Sequence, residues 1–128
     1  MSKRDRPTYE ERVAEFLEPG ERVEKVVPGR TASFINLLFP AGRYDRQVLL
    51  TDRNLYLFEL DGSDRRAAAT PSRVLCKHQR GSAPVRYQVF PPTLIVGQEE
   101  IRPLKGMIPV AKWIAGVAST PGQPARTS

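Results

Sequence analysis

Cys76 and His78 are the pair in this sequence whose chemistry could be nucleophilic, a thiol and an imidazole two positions apart. Alternate residues of a strand share a face, so an extended Arg73 to Gln79 would set a thiolate beside its base. A working pair also needs a third group to orient the imidazole, and none stands out. A buried structural cysteine beside a rim histidine accounts for the spacing without any chemistry. Glu99 and Glu100 are adjacent carboxylates, but neighbours on a strand point to opposite faces, so they read as solubilising charges of a hairpin turn rather than as a paired acid and base. With one cysteine, one histidine, no P-loop and no GxGxxG, metal, nucleotide and disulfide chemistry have no footing, so the sequence predicts no enzyme, no metal and no cofactor.

The elements that would position any site must come from one core, because 128 residues fit a single domain. Hydrophobic residues make up 40% of the chain, enough for a packed interior. No apolar run approaches the roughly 18 residues of a membrane span, and the start Met1-Ser-Lys-Arg-Asp-Arg6 is not that of a signal peptide. A single thiol suits a reducing compartment, so the expected location is the cytoplasm, with peripheral membrane attachment as the second option. The net charge of +6 is uneven: six acids lie between Asp5 and Glu21, whereas Arg65 to Gln98 holds none and carries Arg65, Arg66, Arg73, Lys77, Arg80 and Arg86. Such a basic run could meet an anionic partner or form an ordinary solvated face.

Thr8-Tyr-Glu-Glu11 has the spacing of a capping box and predicts a helix start, with Tyr9, Val13, Phe16 and Leu17 on one face and a stop at Pro19-Gly20. Arg22 to Val27 reads as a strand closed by a Pro28-Gly29 turn. Gln47 to Leu60 reads as a hairpin whose three-residue loop, Asp52-Arg53-Asn54, places Asn54 in the left-handed region. That register pairs Leu50 with Tyr56 and Val48 with Phe58, giving one wholly apolar face of Val48, Leu50, Tyr56, Phe58 and Leu60. The other face holds Gln47, Leu49, Thr51, Leu55, Leu57 and Glu59, and either terminal helix could cover it. Further strands are expected over 73–79, with Val74, Cys76 and His78 on one side, over 85–90, with Val85, Tyr87 and Val89 inward, and over 93–96 and 100–104 around a Gly97-Gln-Glu99 turn. Met107, Val110, Ile114 and Val117 recur at helical spacing and carry Trp113 with them. The expected division is a flexible start over 1–7, one domain over 8–118 and a disordered tail over 119–128.

Seven short antiparallel strands followed by one helix is the element order of the pleckstrin-homology-like (PH-like) superfold. Val48-Leu-Leu-Thr-Asp-Arg-Asn-Leu-Tyr-Leu-Phe58 resembles the hairpin of bacterial PH-like domains, in which Thr-Asp-Arg-Arg precedes a hydrophobic strand; Asn54 stands where that pattern has a second arginine. The resemblance spans roughly Glu18 to Val117. It implies an α+β fold, a strongly bent antiparallel sheet or partly open barrel of about seven strands plugged by the C-terminal helix, here with an added N-terminal helix. It also implies a binding role without chemistry. Relatives that bind phosphoinositides place a lysine near the end of the first strand and Arg-x-Arg on the second. Lys25 fits the first position, but Arg43-Tyr-Asp-Arg46 has the wrong spacing and an acid inside it, so that ligand is not implied.

The candidate interaction surface is the uncharged stretch Thr31 to Gly42, with Phe34, Ile35, Leu37, Leu38 and Phe39, flanked by Lys25 and Arg30 before it and Arg43 and Arg46 after it. Such a segment could dock a protein or peptide, or insert into an anionic membrane while its cations meet headgroups. The plainer reading, favoured because exposed apolar patches of that size are uncommon on monomers, is that these residues close one end of the barrel or pack on the N-terminal helix. Nucleic-acid binding is the weakest of the readings, because stacking needs exposed aromatics among the cations and Phe90 alone is expected to face outward.

Overall fold

Thr8 opens the first helix as its sequence predicts. The Glu11 amide donates to Thr8 Oγ1 at 3.1 Å and the Thr8 amide donates to Glu11 Oε1 at 2.7 Å, the reciprocal pair of a capping box. In the computed structural model, which describes residues 8–31, 44–60 and 69–119, this helix, α1, spans Tyr9–Val13 and tightens into a 3₁₀ turn over Ala14–Phe16. Seven strands follow: β1 Val23–Thr31, β2 Arg46–Thr51, β3 Asn54–Glu59, β4 Arg73–Gln79, β5 Val85–Gln88, β6 Thr93–Val96 and β7 Glu99–Pro103. A 3₁₀ turn over Lys105–Met107 leads into the C-terminal helix α2, Ile108–Ser119. The strands form one curled antiparallel sheet in the order β4-β3-β2-β1-β7-β6-β5, an α+β half-barrel consistent with a PH-like fold. The expected flexible start over 1–7 lies outside the described residues, as does 120–128 of the expected tail, whose first residue, Ser119, is instead the last of α2.

The central hairpin departs from its predicted register by one residue. Leu50 pairs with Leu55, Leu49 with Tyr56, Val48 with Leu57 and Gln47 with Phe58, so the turn has two residues, Asp52 and Arg53, and Asn54 begins β3. Thr51 closes it: its Oγ1 accepts from the amides of Arg53 (3.1 Å) and Asn54 (2.9 Å), which removes the need for a left-handed Asn54. A one-residue slip exchanges the faces of every β3 side chain. One face therefore holds Val48, Leu50, Leu55 and Leu57, and the other holds Leu49, Tyr56 and Phe58.

Pro28-Gly29 is not a turn. β1 runs straight through it and changes partner there, pairing with β2 from Val23 to Gly29 and with β7 from Gly29 to Thr31. The Pro28 carbonyl accepts from the Leu104 amide at 2.9 Å, so the missing Pro28 N–H lies on the β7 side, past the end of that ladder, and costs the β2 ladder nothing. Gly29 is required by contact: a Cβ there would stand 2.5 Å from Ile101 Cγ2 and 2.8 Å from the Arg102 carbonyl oxygen. Elsewhere β4 and β6 keep their predicted bounds, β7 starts one residue early after a Gly97-Gln98 turn, and β5 ends at Gln88. A bulge at Leu75 sets Val74 against one cluster and Leu75 with Cys76 against the other, so Val74 does not share the face of Cys76.

Both faces of the hairpin are covered. The first cluster joins Val48, Leu50, Leu55 and Leu57 to Val27, Val85, Leu94, Val96 and Ile101, with Ala111, Ile114, Ala115 and Ala118 of α2 as its lid. Each large aliphatic side chain fully buried there contributes about 1.5–3 kcal/mol. The second cluster sets Leu49, Tyr56 and Phe58 under Val13, with Tyr9, Phe16 and Leu17 packed on it and the Phe16 and Phe58 rings 5.2 Å apart. The N-terminal helix is thus the cover of the second face.

Candidate interaction surface

β1 places two of the predicted surface cations, and it separates them. Lys25 is exposed opposite Leu50, near the β2–β3 turn, whereas Arg30 stands at the far end of the strand opposite Arg102. At about 3.3 Å of rise per residue they are roughly 16 Å apart, so the two cations stand at opposite ends of β1. Phe34, Ile35, Leu37, Leu38, Phe39 and Arg43 lie outside the described residues.

Arg46 sits at the loop end of the barrel within reach of three carboxylates, Glu99 at 3.6 Å, Asp45 at 3.7 Å and Glu59 at 4.0 Å. Its charge is balanced on site, which removes it as a free contact for an anionic surface. Glu59 also holds Arg73, whose hydrogen bond keeps the Glu59 carboxyl below its ordinary range. Across the sheet Lys77 meets Glu18 at 2.8 Å and Arg80 meets Glu24 at 3.1 Å. Arg73, Lys77 and Arg80 of the acid-free run thus meet acids in space, because antiparallel pairing and the docked N-terminal segment bring carboxylates from elsewhere to them.

Cys76 pairs with Leu57 and His78 with Leu55, so both lie on the face of the first cluster. Burial, and then the Glu99 charge, push the Cys76 thiol above its ordinary value, the reverse of what a nucleophilic thiolate requires. Glu99 and Glu100 pair with Val96 and Ile95 respectively, and Glu99 serves Arg46. Among the described residues no group of three or more His, Cys, Asp or Glu could hold a metal ion, and no helix is long and apolar enough to cross a membrane.

A polar cluster that the sequence did not announce lies under the N-terminal segment. The Glu21 carboxylate is buried and accepts hydrogen bonds from Thr51 Oγ1, Asn54 Nδ2 (2.9 Å), the Tyr56 hydroxyl (2.6 Å) and the Glu18 amide (2.8 Å). Burial alone would raise its pKa, but the bonds from Thr51, Tyr56, the Glu18 amide and Asn54 outweigh it and hold the carboxyl below its ordinary range. Beside it, the Lys77 hydrogen bond and then that of Asn54 lower Glu18. On the same face the Tyr9 hydroxyl donates to Gln47 Oε1, and Gln47 Nε2 donates to the Ala69 carbonyl at 2.9 Å. Each polar side chain named here has an internal partner, and together they tie α1, through Tyr9, and the segment that follows it, through Glu18 and Glu21, to the sheet.

The two sheet edges differ. β4 is bent by its bulge and presents the exposed Arg73, Lys77 and Gln79, features that discourage strand addition. β5 ends in an apolar tip instead: Val89 is 71% exposed and Phe90 89% exposed. Phe90 faces outward as predicted, whereas Val89 was expected inward. The cause is readable in hindsight, since Pro91-Pro92 cannot donate to a ladder and ends the strand before it. Along β5 runs α2, with Lys112 Nζ 5.6 Å from the Tyr87 ring centroid, and α2 exposes Trp113 to 42%. No family model matches this chain, and neither does any curated protein or solved structure.

Proposed function

We propose that this chain is a non-enzymatic PH-like interaction module of the bacterial type that binds a protein or peptide in the cytoplasm. The observation that carries the reading is the asymmetry of the sheet edges: β4 is blunted by charge and a bulge, while β5 is an edge strand that runs into the exposed pair Val89-Phe90. An extended peptide laid along β5 would gain main-chain hydrogen bonds from the edge and an apolar anchor from Phe90. The raised Cys76 thiol and the wholly internal bonding of Glu21 support the absence of catalysis.

A peptide-display selection against the folded domain tests this. Selected peptides are expected to slow amide exchange at Tyr87, whose N–H points away from β6, and to lose binding in Phe90→Ser. Protection elsewhere with β5 unchanged would sink the reading. The second reading, peripheral attachment to anionic membrane, draws support from Arg30, which no acid neutralises among the described residues, but loses the contribution of Arg46. Co-sedimentation that rises with anionic lipid and vanishes in Phe34→Asp, Leu38→Asp would favour it. Nucleic acid is the least supported partner, since Arg73, Lys77 and Arg80 already hold acids.

A further inference from the structure

Two half-buried arginines have an Nε closed off from solvent that makes no hydrogen bond, Arg46 and Arg102. Their surroundings are opposite. Arg46 has three carboxylates within 4.0 Å. Arg102 has no ion pair or hydrogen bond to its side chain among the described residues, and the residue directly across the β1–β7 ladder from it is another arginine, Arg30, equally without one. Opposed residues of an antiparallel pair hold their Cβ atoms about 4.5–5.5 Å apart, and like charges so placed repel.

Among the described residues little relieves this. The segment 32–43 that follows β1 in the sequence contains no aspartate or glutamate and adds Arg43. Asp45 accepts from the Thr31 amide at 2.9 Å and from Thr31 Oγ1 at 3.1 Å, and lies 3.7 Å from Arg46. Glu100 shares the face of Arg102 on β7 but sits two residues away, opposite Ile95. A sheet that opposes two guanidinium groups bears a charge repulsion that a bound anion would offset.

We propose that Arg30 and Arg102 form a binding site for a dianionic phosphoryl group on the outer face of the β1–β7 ladder. Two guanidinium charges are balanced by a phosphoryl dianion and only half balanced by a carboxylate, and the planar fork of each matches two oxygens of such a group. The site uses neither β5 nor the Val89-Phe90 tip, so it stands independently of the peptide reading.

The same chemistry is offered by free phosphate and by a lipid phosphate-monoester headgroup, and two arms separate them. In the first, the full chain is titrated with inorganic phosphate at pH 7.5 and low ionic strength against a chloride control, followed by backbone amide shifts. Saturable shifts at Arg30, Thr31, Ile101 and Arg102 are expected, with affinity at least about tenfold weaker in Arg30→Gln and in Arg102→Gln. Glu100→Gln is expected to bind more tightly. In the second arm, vesicles of phosphatidic acid in neutral lipid are sedimented with the same proteins; binding lost in both arginine variants, without a response to inorganic phosphate, assigns the headgroup as the source. No response in either arm, or responses that both variants retain, overturns the proposal. Without phosphate, Arg102→Gln should melt no lower than the parent because it relieves repulsion. A large fall in its Tm would mean that Arg102 serves the fold, and would also overturn the site.

Discussion

The two faces of the β2–β3 hairpin are covered by opposite means. Against α2, Val48, Leu50, Leu55 and Leu57 meet a lid of alanines and Ile114, and the cluster is apolar throughout. Against the N-terminal segment, Leu49, Tyr56 and Phe58 supply apolar area, but Gln47, Thr51, Asn54 and the Tyr56 hydroxyl are buried with them and reach Tyr9 and Glu21. The comparison separates two tasks. Apolar burial is strong and non-directional, and a twelve-residue helix with a long apolar stripe can be seated by it alone. α1 has five residues, too few to hold its shape in water, so its position must be fixed by bonds that tolerate one geometry.

Breaking the apolar face should have the largest effect. Leu57→Ala is expected to cost about 2–5 kcal/mol and to unfold the domain as a unit, with coincident urea transitions by Trp113 fluorescence and far-ultraviolet circular dichroism. Breaking the polar face should be smaller and more local. Glu21→Ala leaves Thr51, Asn54 and Tyr56 with unmade bonds and is expected to cost about 1–3 kcal/mol, raising amide exchange over residues 9–17 while the β2–β3 amides keep their protection. Equal exchange in both regions would show that the faces are not separable. Thr8→Ala removes one half of the capping box and should cost about 1 kcal/mol, read in the same α1 amides.

The pH dependence sharpens the comparison with no effect at neutrality. Glu21 and Glu18 are held below their ordinary value of 4.5 when folded, so the unfolded chain binds protons first as pH falls. Their contribution is complete above that value and is lost as pH drops through the folded pKa values. Acid titration of stability should therefore be flat near neutral and fall below about pH 5, with a shallower fall in Glu21→Gln. An unchanged slope in that variant would remove Glu21 from the account.

Local signals in the sequence were reliable where the physics is local. The capping box at Thr8, the bounds of β4 and β6, and the helical spacing of Val110, Ile114 and Val117 depend on neighbours a few residues away. The hairpin register was missed because Thr-Asp-Arg-Asn suits a two-residue or a three-residue turn, and the Thr51 hydroxyl decides between them. Pro28-Gly29 looked like a turn because the reason for the glycine, the backbone of Arg102, is far away in sequence. Glu21 read as one acid among six, and nothing short of the docked segment reveals its partners. The candidate surface was legible least of all: Arg46 looked free until Glu59 and Glu99 came beside it from other strands.

The double allegiance of β1 bears on how the chain is made. Strands β1 to β4 can assemble early during synthesis, but the β7 side of β1 stays open until Glu99–Pro103 has emerged, and long-range pairing of this kind is slow. During that interval β1 is an exposed edge that another nascent chain could extend. Pro28 offers no N–H on that side and Arg30 brings a charge to it, two devices that discourage intermolecular strand pairing. Residues that look like irregularities in the finished sheet thus act as gatekeepers while it is still half built.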